Sequence, residues 1–197
     1  MPDARLLERA RSGDLVQTDV LAEEARRMLA DPRSARGIGR WVGEWLMVDD
    51  LETADRDPSL YPGFEPRVAA AMEEELRRLA VDAFRSGRSL RDLLASRRTF
   101  VNRDLAELYG IEGLDFDGPD QWLEARLPED QRAGVFTRAA VLTAHAHRRE
   151  SSYVQRGYAL RKRLFCDTFS SPPADALSRQ PEYPPNATGR ERSEILR

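Results

Sequence analysis

Two histidines and one cysteine are the residues of this chain whose types best suit metal or acid–base chemistry. His145 and His147 are the only histidines, and Cys166 is the only cysteine. Residues two apart diverge on a helix but can converge where the chain becomes extended, so the histidine pair could bind a metal ion, with Glu150 and Cys166 as the further candidate ligands. Nothing in their spacing requires convergence, and packed or capping histidines are the alternative. We therefore predict no metal site.

A polar segment follows the histidines and contains two candidate nucleophiles, Ser151 and Ser152. A nucleophilic serine needs a base partner and, in many hydrolases, a strand–turn–helix elbow, and the sequence indicates neither. Capping of the next helix is the stronger interpretation for Ser152. A local basic cluster could receive a phosphate or an acidic partner, with a solvated helix face as the alternative. Its members are Arg148, Arg149, Arg156, Arg161, Lys162 and Arg163.

The composition excludes several classes of protein. With 41% apolar and 33% charged residues, the chain has the composition of a soluble globular protein. A net charge of −3 argues against a broad nucleic-acid-binding surface. The apolar runs are much shorter than the roughly 20 residues that span a bilayer. A single cysteine excludes an internal disulfide and a haem-attachment motif, and the first residues predict no signal peptide.

The elements that must position these side chains are mainly amphipathic helices. The spacing predicts one helix with Thr18 as its N-cap that ends at Asp31, and a second that carries Trp41 and Trp45 on one face. Two tryptophans four residues apart most simply pack into a core, and we prefer that interpretation to a cofactor-stacking site.

The middle of the chain continues the helical pattern and ends in a short strand. A strong helix is predicted over 66–84, and the glutamates at 73–75 within it are expected to face water. Ser89 opens a short helix with a capping box, and Asn102 caps another. Alternating apolar residues over 123–127 predict a strand after a Gly- and Asp-rich linker.

Two more helices are predicted, over 137–146 and 154–165, before the chain becomes rich in proline. We predict a mostly α fold with a bundle-like N-terminal module, a small helical C-terminal module, at most one or two short strands and an extended Pro-rich tail. The predicted boundaries are 1–113, 114–169 and 170–197, the last range including the start of a truncated segment.

The first module carries an ordered set of short motifs. An aromatic-Leu pair, an aromatic-Pro turn and a Glu-rich helix come first, followed by a Leu dyad, Thr-Phe-Val-Asn, Leu-Ala and Tyr-Gly-Ile. They are found at Trp45-Leu46, Tyr61-Pro62, Glu73 to Glu75, Leu93-Leu94, 99–102, Leu105-Ala106 and 109–111. This ordered set resembles domain of unknown function 1592.

The second module runs from an Arg-x-Gly turn to a helix that ends in Leu-Cys before prolines, with its motifs at 132–137, 141–143, 152–157 and 164–166. These segments resemble the signature of domain of unknown function 1588, except that Tyr153 replaces the usual proline. The signature positions are Arg132, Gly134, Thr137, His145, Ser152, Arg156, Gly157 and Cys166. Within it, Arg156 is expected to hydrogen-bond the preceding loop, and Gly157 to permit close helix contact.

The two domains occur together in secreted proteins of planctomycetes and myxobacteria that carry c-type cytochrome modules. The resemblance therefore implies a periplasmic or secreted segment of a larger protein, with no cofactor of its own and a c-type haem in the flanking sequence. The flanking domains, including a cytochrome c module, are the implied partners. In that setting His145 is a candidate axial ligand and the basic cluster a candidate site for haem propionates.

Three functions are consistent with this reading. The preferred one is a scaffold and docking segment beside haem redox chemistry. The second is an enzyme module that acts on an extracellular substrate through the loop 145–156. The third is a purely structural interaction module that binds a protein through its basic helix.

Overall fold

The structure is a computed structural model, and it describes residues 2–48 and 50–170 together with residues 184, 191, 194 and 195. Within these residues the chain forms eight α-helices and one two-stranded antiparallel sheet, which confirms the predicted mostly α fold. The predicted Pro-rich tail lies almost wholly outside the described residues. The helices are α1 Ala4–Ser12, α2 Thr18–Ala30, α3 Ser34–Leu46, α4 Pro66–Arg85, α5 Leu90–Ala95, α6 Arg103–Tyr109, α7 Ala139–Ala144 and α8 Tyr153–Leu164. The strands are β1 Arg98–Val101 and β2 Leu123–Arg126.

Local capping explains where several helices begin. The predicted capping box of α5 is present between Ser89 and Asp92, and the Asn102 side chain accepts a hydrogen bond from the backbone N–H of Leu105, so both predictions are confirmed. The predicted Thr18 cap is wrong, because Thr18 is the first residue of α2 and Gln17 occupies the cap position without a side-chain bond.

The core lies between α3 and α4, which pack against each other. Val42 and Leu46 on α3 are buried with Met72 and Leu76 on α4, as the helical spacing of apolar residues requires. Burial of such side chains contributes about 1.5–3 kcal/mol each. The prediction for the tryptophan pair is only half right, because the Trp41 side chain leaves 43% of its surface exposed.

The sheet joins residues on both sides of the predicted boundary at 113. The strand predicted over 123–127 is confirmed as β2, and it pairs with β1, where Thr99 lies opposite Ala125. Core residues also come from both sides, including Leu105 before the boundary and Val141 after it. The three predicted domain ranges stay predictions.

The second module adds two helices to this core. A 3-10 turn over Val135–Thr137 replaces the predicted start of α7. Ser152 caps α8, as predicted, because its side chain accepts a hydrogen bond from the backbone N–H of Gln155 at 3.2 Å. In the described part of the chain, no helix combines the length and the apolarity that a bilayer crossing requires.

Candidate functional site

The most unusual chemistry of the molecule is a buried polar cluster in its centre, which we call the junction. It contains Glu75 on α4, Thr99 on β1, Tyr109 on α6 and Arg138 just before α7. The Glu75 carboxylate accepts hydrogen bonds from the Thr99 hydroxyl and, at 2.6 Å, from the Tyr109 hydroxyl. None of these four side chains is meaningfully exposed, and Glu75 is 0% exposed.

Arg138 brings the second module into this cluster. Its Nη2 atom donates to the backbone carbonyl oxygens of Ser96 at 3.0 Å and Arg98 at 2.9 Å. Its Nη1 atom lies 3.7 Å from the Glu75 carboxylate, an ion pair without a direct hydrogen bond. The backbone N–H of Ala139 donates to the Tyr109 hydroxyl at 3.0 Å, so the same tyrosine is bonded on both sides. The start of α7 is thereby fixed to α4, α6 and β1.

Burial shifts the ionisation of all three titratable groups in the junction. Burial raises the pKa of the Glu75 carboxyl, although Arg138 and the two hydroxyls oppose the shift. Burial and the neighbouring carboxylate raise the pKa of Tyr109 well above its usual range. Burial lowers the pKa of Arg138, opposed by Glu75. Arginine stays protonated even in this setting, so the junction holds a buried cation. Its counter-charge is the Glu75 carboxylate, which forms no direct hydrogen bond with it.

Gly134 brings the backbone of the second module close to the end of α5, beside the junction. Its φ of 69° and ψ of 173° belong to a conformation that is essentially restricted to glycine. A Cβ atom at this position would lie 1.7 Å from the carbonyl oxygen of Leu94. The backbone N–H of Gly134 donates to the carbonyl oxygen of Ser96 at 2.9 Å. This signature position is therefore a glycine because the backbone of the second module touches the end of α5.

Two other signature residues complete the same turn. The Arg132 guanidinium lies over the Tyr109 ring at 5.2 Å from its centroid and donates to the Thr137 carbonyl oxygen at 2.8 Å. The Thr137 hydroxyl donates to the Ala133 carbonyl oxygen at 2.8 Å. The signature segment 132–137 is thus a closed turn seated on α6.

The histidines lie in different environments. His145 is buried, and its Nε2 atom lies 2.8 Å from the Leu46 carbonyl oxygen at the end of α3. It therefore satisfies one of the carbonyl groups that a helix end leaves without a partner. His147 is exposed, and its backbone N–H donates to the Glu150 carbonyl oxygen at 2.9 Å. In the described ranges, no group of three or more His, Cys, Asp and Glu side chains is placed to hold a metal ion.

The polar loop that follows the histidines is held by the connector between α3 and α4. The backbone N–H of Asp57 donates to the Arg148 carbonyl oxygen at 3.1 Å, and the Tyr61 hydroxyl donates to the Arg149 carbonyl oxygen at 3.2 Å. Arg56 donates to the carbonyl oxygens of Thr143 and His147. The loop is therefore attached to the first module by its main chain.

At the start of α8 the signature residues behave differently from one another. The Arg156 Nε atom donates to the Ser152 carbonyl oxygen at 3.3 Å, so the expected bond to the preceding loop is confirmed. The close helix contact expected at Gly157 is wrong, because no described atom lies within 4 Å of the position of a Cβ there. Cys166 is exposed and not bonded to another sulfur.

The basic cluster is partly neutralised by carboxylates of the chain itself. Arg148 pairs with Asp55 at 3.1 Å, and Arg149 with Asp57 at 3.3 Å. On α8, Arg161 pairs with Asp167 at 2.6 Å, and the Lys162 ammonium donates to the Tyr158 hydroxyl at 2.9 Å. These contacts favour the solvated-face interpretation over a dedicated anion site.

Sequence reasoning missed the centre of the junction. The expectation that the glutamates at 73–75 face water is wrong for Glu75, which lies three residues after Met72 and four before Leu79 on the buried stripe of α4. That spacing was the available signal. Arg138 carried a weaker one, its place between Thr137 and a buried alanine pair.

Two family models match this chain, one in its N-terminal part and one in its C-terminal part. Residues 1–111 match the model PSD4, described as a protein of unknown function (DUF1592). The chain belongs to the PSD4 family. Residues 132–197 match a second model, PSCyt3, also described as a protein of unknown function (DUF1588). The order of the two matches is the one that the sequence motifs predict. Neither the curated proteins nor the solved structures include a match to this chain.

The two matched segments meet at the junction. Glu75, Thr99 and Tyr109 belong to the PSD4 segment, whereas Arg138 belongs to the PSCyt3 segment. Gly134 and His145 of the PSCyt3 segment likewise contact main-chain atoms of the PSD4 segment. In this chain the described parts of both segments share one core.

Proposed function

We propose that this chain is a scaffold and docking segment of a larger exported protein that works beside a c-type haem. The observation that supports the scaffold role is the set of contacts made by residues in and beside the signature. Arg138, between the signature segments 132–137 and 141–143, donates to two carbonyl oxygens of the PSD4 segment, and the signature residue His145 contacts a third. The association with haem rests on the resemblance of the sequence motifs alone.

The internal contacts favour this function over an enzyme site in the loop 145–156. Catalysis there requires acid and base groups that converge on a substrate. The His145 ring faces the Leu46 carbonyl oxygen, and the Arg156 guanidinium faces the Ser152 carbonyl oxygen. Both groups position backbone, which is the task of a scaffold.

Absorption spectroscopy of the full-length product of the parent gene tests the haem part of the proposal. We expect a c-type haem band from protein made in a host that attaches haem. A colourless full-length product, together with a parent gene that encodes no Cys-x-x-Cys-His sequence, would overturn this part.

A variant of the same product tests the scaffold part. His145→Gln keeps a donor for the Leu46 carbonyl oxygen but removes the imidazole. We expect the haem spectrum and potential to be unchanged. A shifted spectrum would identify His145 as an axial ligand and contradict a role restricted to scaffolding.

A further inference from the structure

An open apolar groove lies on the PSD4 segment, away from the junction. It has a volume of about 800 Å³ and is formed by the end of α2, the first half of α3 and Phe84 near the end of α4. Four large apolar side chains of the groove are 39–44% exposed. They are Met28, Leu29, Trp41 and Phe84.

This patch differs from scattered surface apolar residues because its side chains adjoin and are held in place. The Trp41 ring stacks on Trp45 with 5.4 Å between centroids, and Phe84 meets Trp41 edge-on at 5.4 Å. Contiguous exposed apolar patches mark interaction sites, and rigid aromatic side chains lose little conformational entropy on binding.

Gly37 leaves the backbone of α3 uncovered in the lining of the groove. No described atom lies within 4 Å of the position that its Cβ would take, and the residue is exposed. Glycine weakens a helix interior relative to alanine, so it carries a stability cost here. Its effect on the surface is to let another chain approach α3 closely, beside Trp41 one turn further on.

The rim of the groove carries an excess of positive charge. Arg27 pairs with Asp3 at 2.6 Å, and Arg33 pairs with Asp31 at 2.6 Å. Arg36 and Arg40 also line the groove and are exposed, and within the described part of the chain neither forms an ion pair. The lining therefore holds a surplus of two positive charges on a chain whose net charge is −3.

We propose that this groove binds an acidic amphipathic segment of a partner protein. Apolar side chains of that segment pack against Trp41, Phe84 and Met28, and its carboxylates pair with Arg36 and Arg40. Arginine and tryptophan are the side chains that most often dominate the energy of protein interfaces. The groove supplies a docking face for the proposed scaffold and in that sense rests on the proposed function.

Calorimetric titration of the purified chain with two synthetic peptides tests this site. Each peptide has about 16 residues with leucines at positions i, i+3, i+4 and i+7, and the remaining positions are glutamate in one peptide and lysine in the other. We expect the acidic peptide to bind and the basic peptide not to bind. We also expect the affinity to fall as salt is added, because the rim charges are exposed.

Matched variants locate the binding. Arg36→Glu combined with Arg40→Glu should weaken the acidic peptide by roughly tenfold or more. Arg91→Glu combined with Arg126→Glu makes the same charge change at exposed positions outside the groove, and should leave the affinity within about twofold. Gly37→Gln should abolish binding while a thermal melt shows the chain still folded, because its side chain enters open space.

Several results would overturn the proposal. These are equal binding of both peptides, binding of neither, or affinities that Gly37→Gln leaves unchanged. Sedimentation that shows a dimer broken by the Arg36/Arg40 variant would assign the groove to a second copy. Preferential binding to phosphatidylserine vesicles would assign it to a membrane. The measurements use no haem, so they can fail or succeed separately from the absorption spectrum.

Discussion

Two glutamates of this chain are buried to the same degree, but their pKa values are shifted in opposite directions. Glu75 in the junction is 0% exposed, and Glu24 on α2 is 1% exposed. Burial raises the pKa of Glu75 despite the nearby arginine. Burial also opposes ionisation of Glu24, but its hydrogen bonds from Arg27 and Arg5 outweigh that effect and lower the pKa.

The difference lies in how each arginine reaches its carboxylate. Arg5 and Arg27 each donate directly to Glu24, at 2.7 and 2.8 Å, and the Arg5 side chain is itself 48% exposed. Arg138 instead directs its hydrogen bonds to main-chain carbonyls and remains 3.7 Å from Glu75. Direct hydrogen bonds from two arginines therefore stabilise the Glu24 carboxylate. The hydroxyl donors of Glu75 offset the cost of its burial only in part.

The largest effect should come from Gly134→Ala, which breaks the backbone contact beside the junction. The added Cβ meets the Leu94 carbonyl oxygen at 1.7 Å, so the loss of unfolding free energy should be at least ~5 kcal/mol. Gly13→Ala, at the C-terminal end of α1, is the matched control. Gly13 also has a positive φ, but its Cβ would meet no described atom within 4 Å, and we expect a loss of about 1–2 kcal/mol. Equal losses in urea denaturation would contradict the account.

The next effect concerns the ion pair of the junction. Arg138→Met removes two hydrogen bonds to carbonyl oxygens and leaves Glu75 without its ion-pair partner, so we expect a loss of about 3–5 kcal/mol. Adding Glu75→Met should recover part of that loss, because apolar side chains of similar size then fill the site. The control Glu74→Gln breaks partly exposed pairs with Arg77 and Arg78 and should cost only about 1 kcal/mol or less. Additive effects of the two methionine substitutions would rule out coupling.

The pH dependence of stability should distinguish the two glutamates. Glu24 has a lowered folded-state pKa, so its stabilisation is present above the unfolded value of about 4.3 and is lost as pH falls through the folded value. The penalty of Glu24→Gln should therefore shrink in acid. Glu75 has a raised folded-state pKa, so its protonated form favours folding below about pH 4.3 and that contribution is lost as pH rises. Glu75→Gln should gain stability relative to the parent as pH rises, and parallel profiles for the two variants would contradict this.

The smallest effect is expected at Asp3, which caps α1 and shares the partner Arg27 with Glu24. Hydrogen bonds from Arg27 and from the backbone of Leu6 lower the pKa of Asp3 to about 2. Its stabilisation is thus present above about pH 3.9 and is lost as pH falls toward 2. NMR titration of the carboxyl group should show the pKa rising in Arg27→Gln and staying constant in Arg26→Gln. If the pKa of Asp3 does not respond to Arg27→Gln, the ion pair between Arg27 and Asp3 is not the cause of the shift.

Local signals in the sequence were enough to predict most helices. The capping box at Ser89, the Asn102 cap and the Ser152 cap each depend on residues within one turn, and all three are confirmed. The order of the two family segments was also predictable, because short motifs such as Thr99 to Asn102 are contiguous in sequence.

The junction could not be predicted in the same way because its partners are far apart in the chain. Glu75 and Arg138 are brought together only by the packing of α4 against α7, and β1 is defined by a partner strand that begins 25 residues after it starts. The exposure of Trp41 is likewise set by the end of α2 and by Phe84, which the spacing of α3 alone does not reveal.

Native-state hydrogen exchange tests most directly the central claim that the junction makes the PSD4 segment and the start of the PSCyt3 segment one folding unit. In the parent chain, the most protected amides of α4 and α7 should exchange with the same opening free energy, and Arg138→Met should lower both by the same amount. Loss of protection in α7 with α4 unchanged would show that the two segments open independently, and would contradict the account.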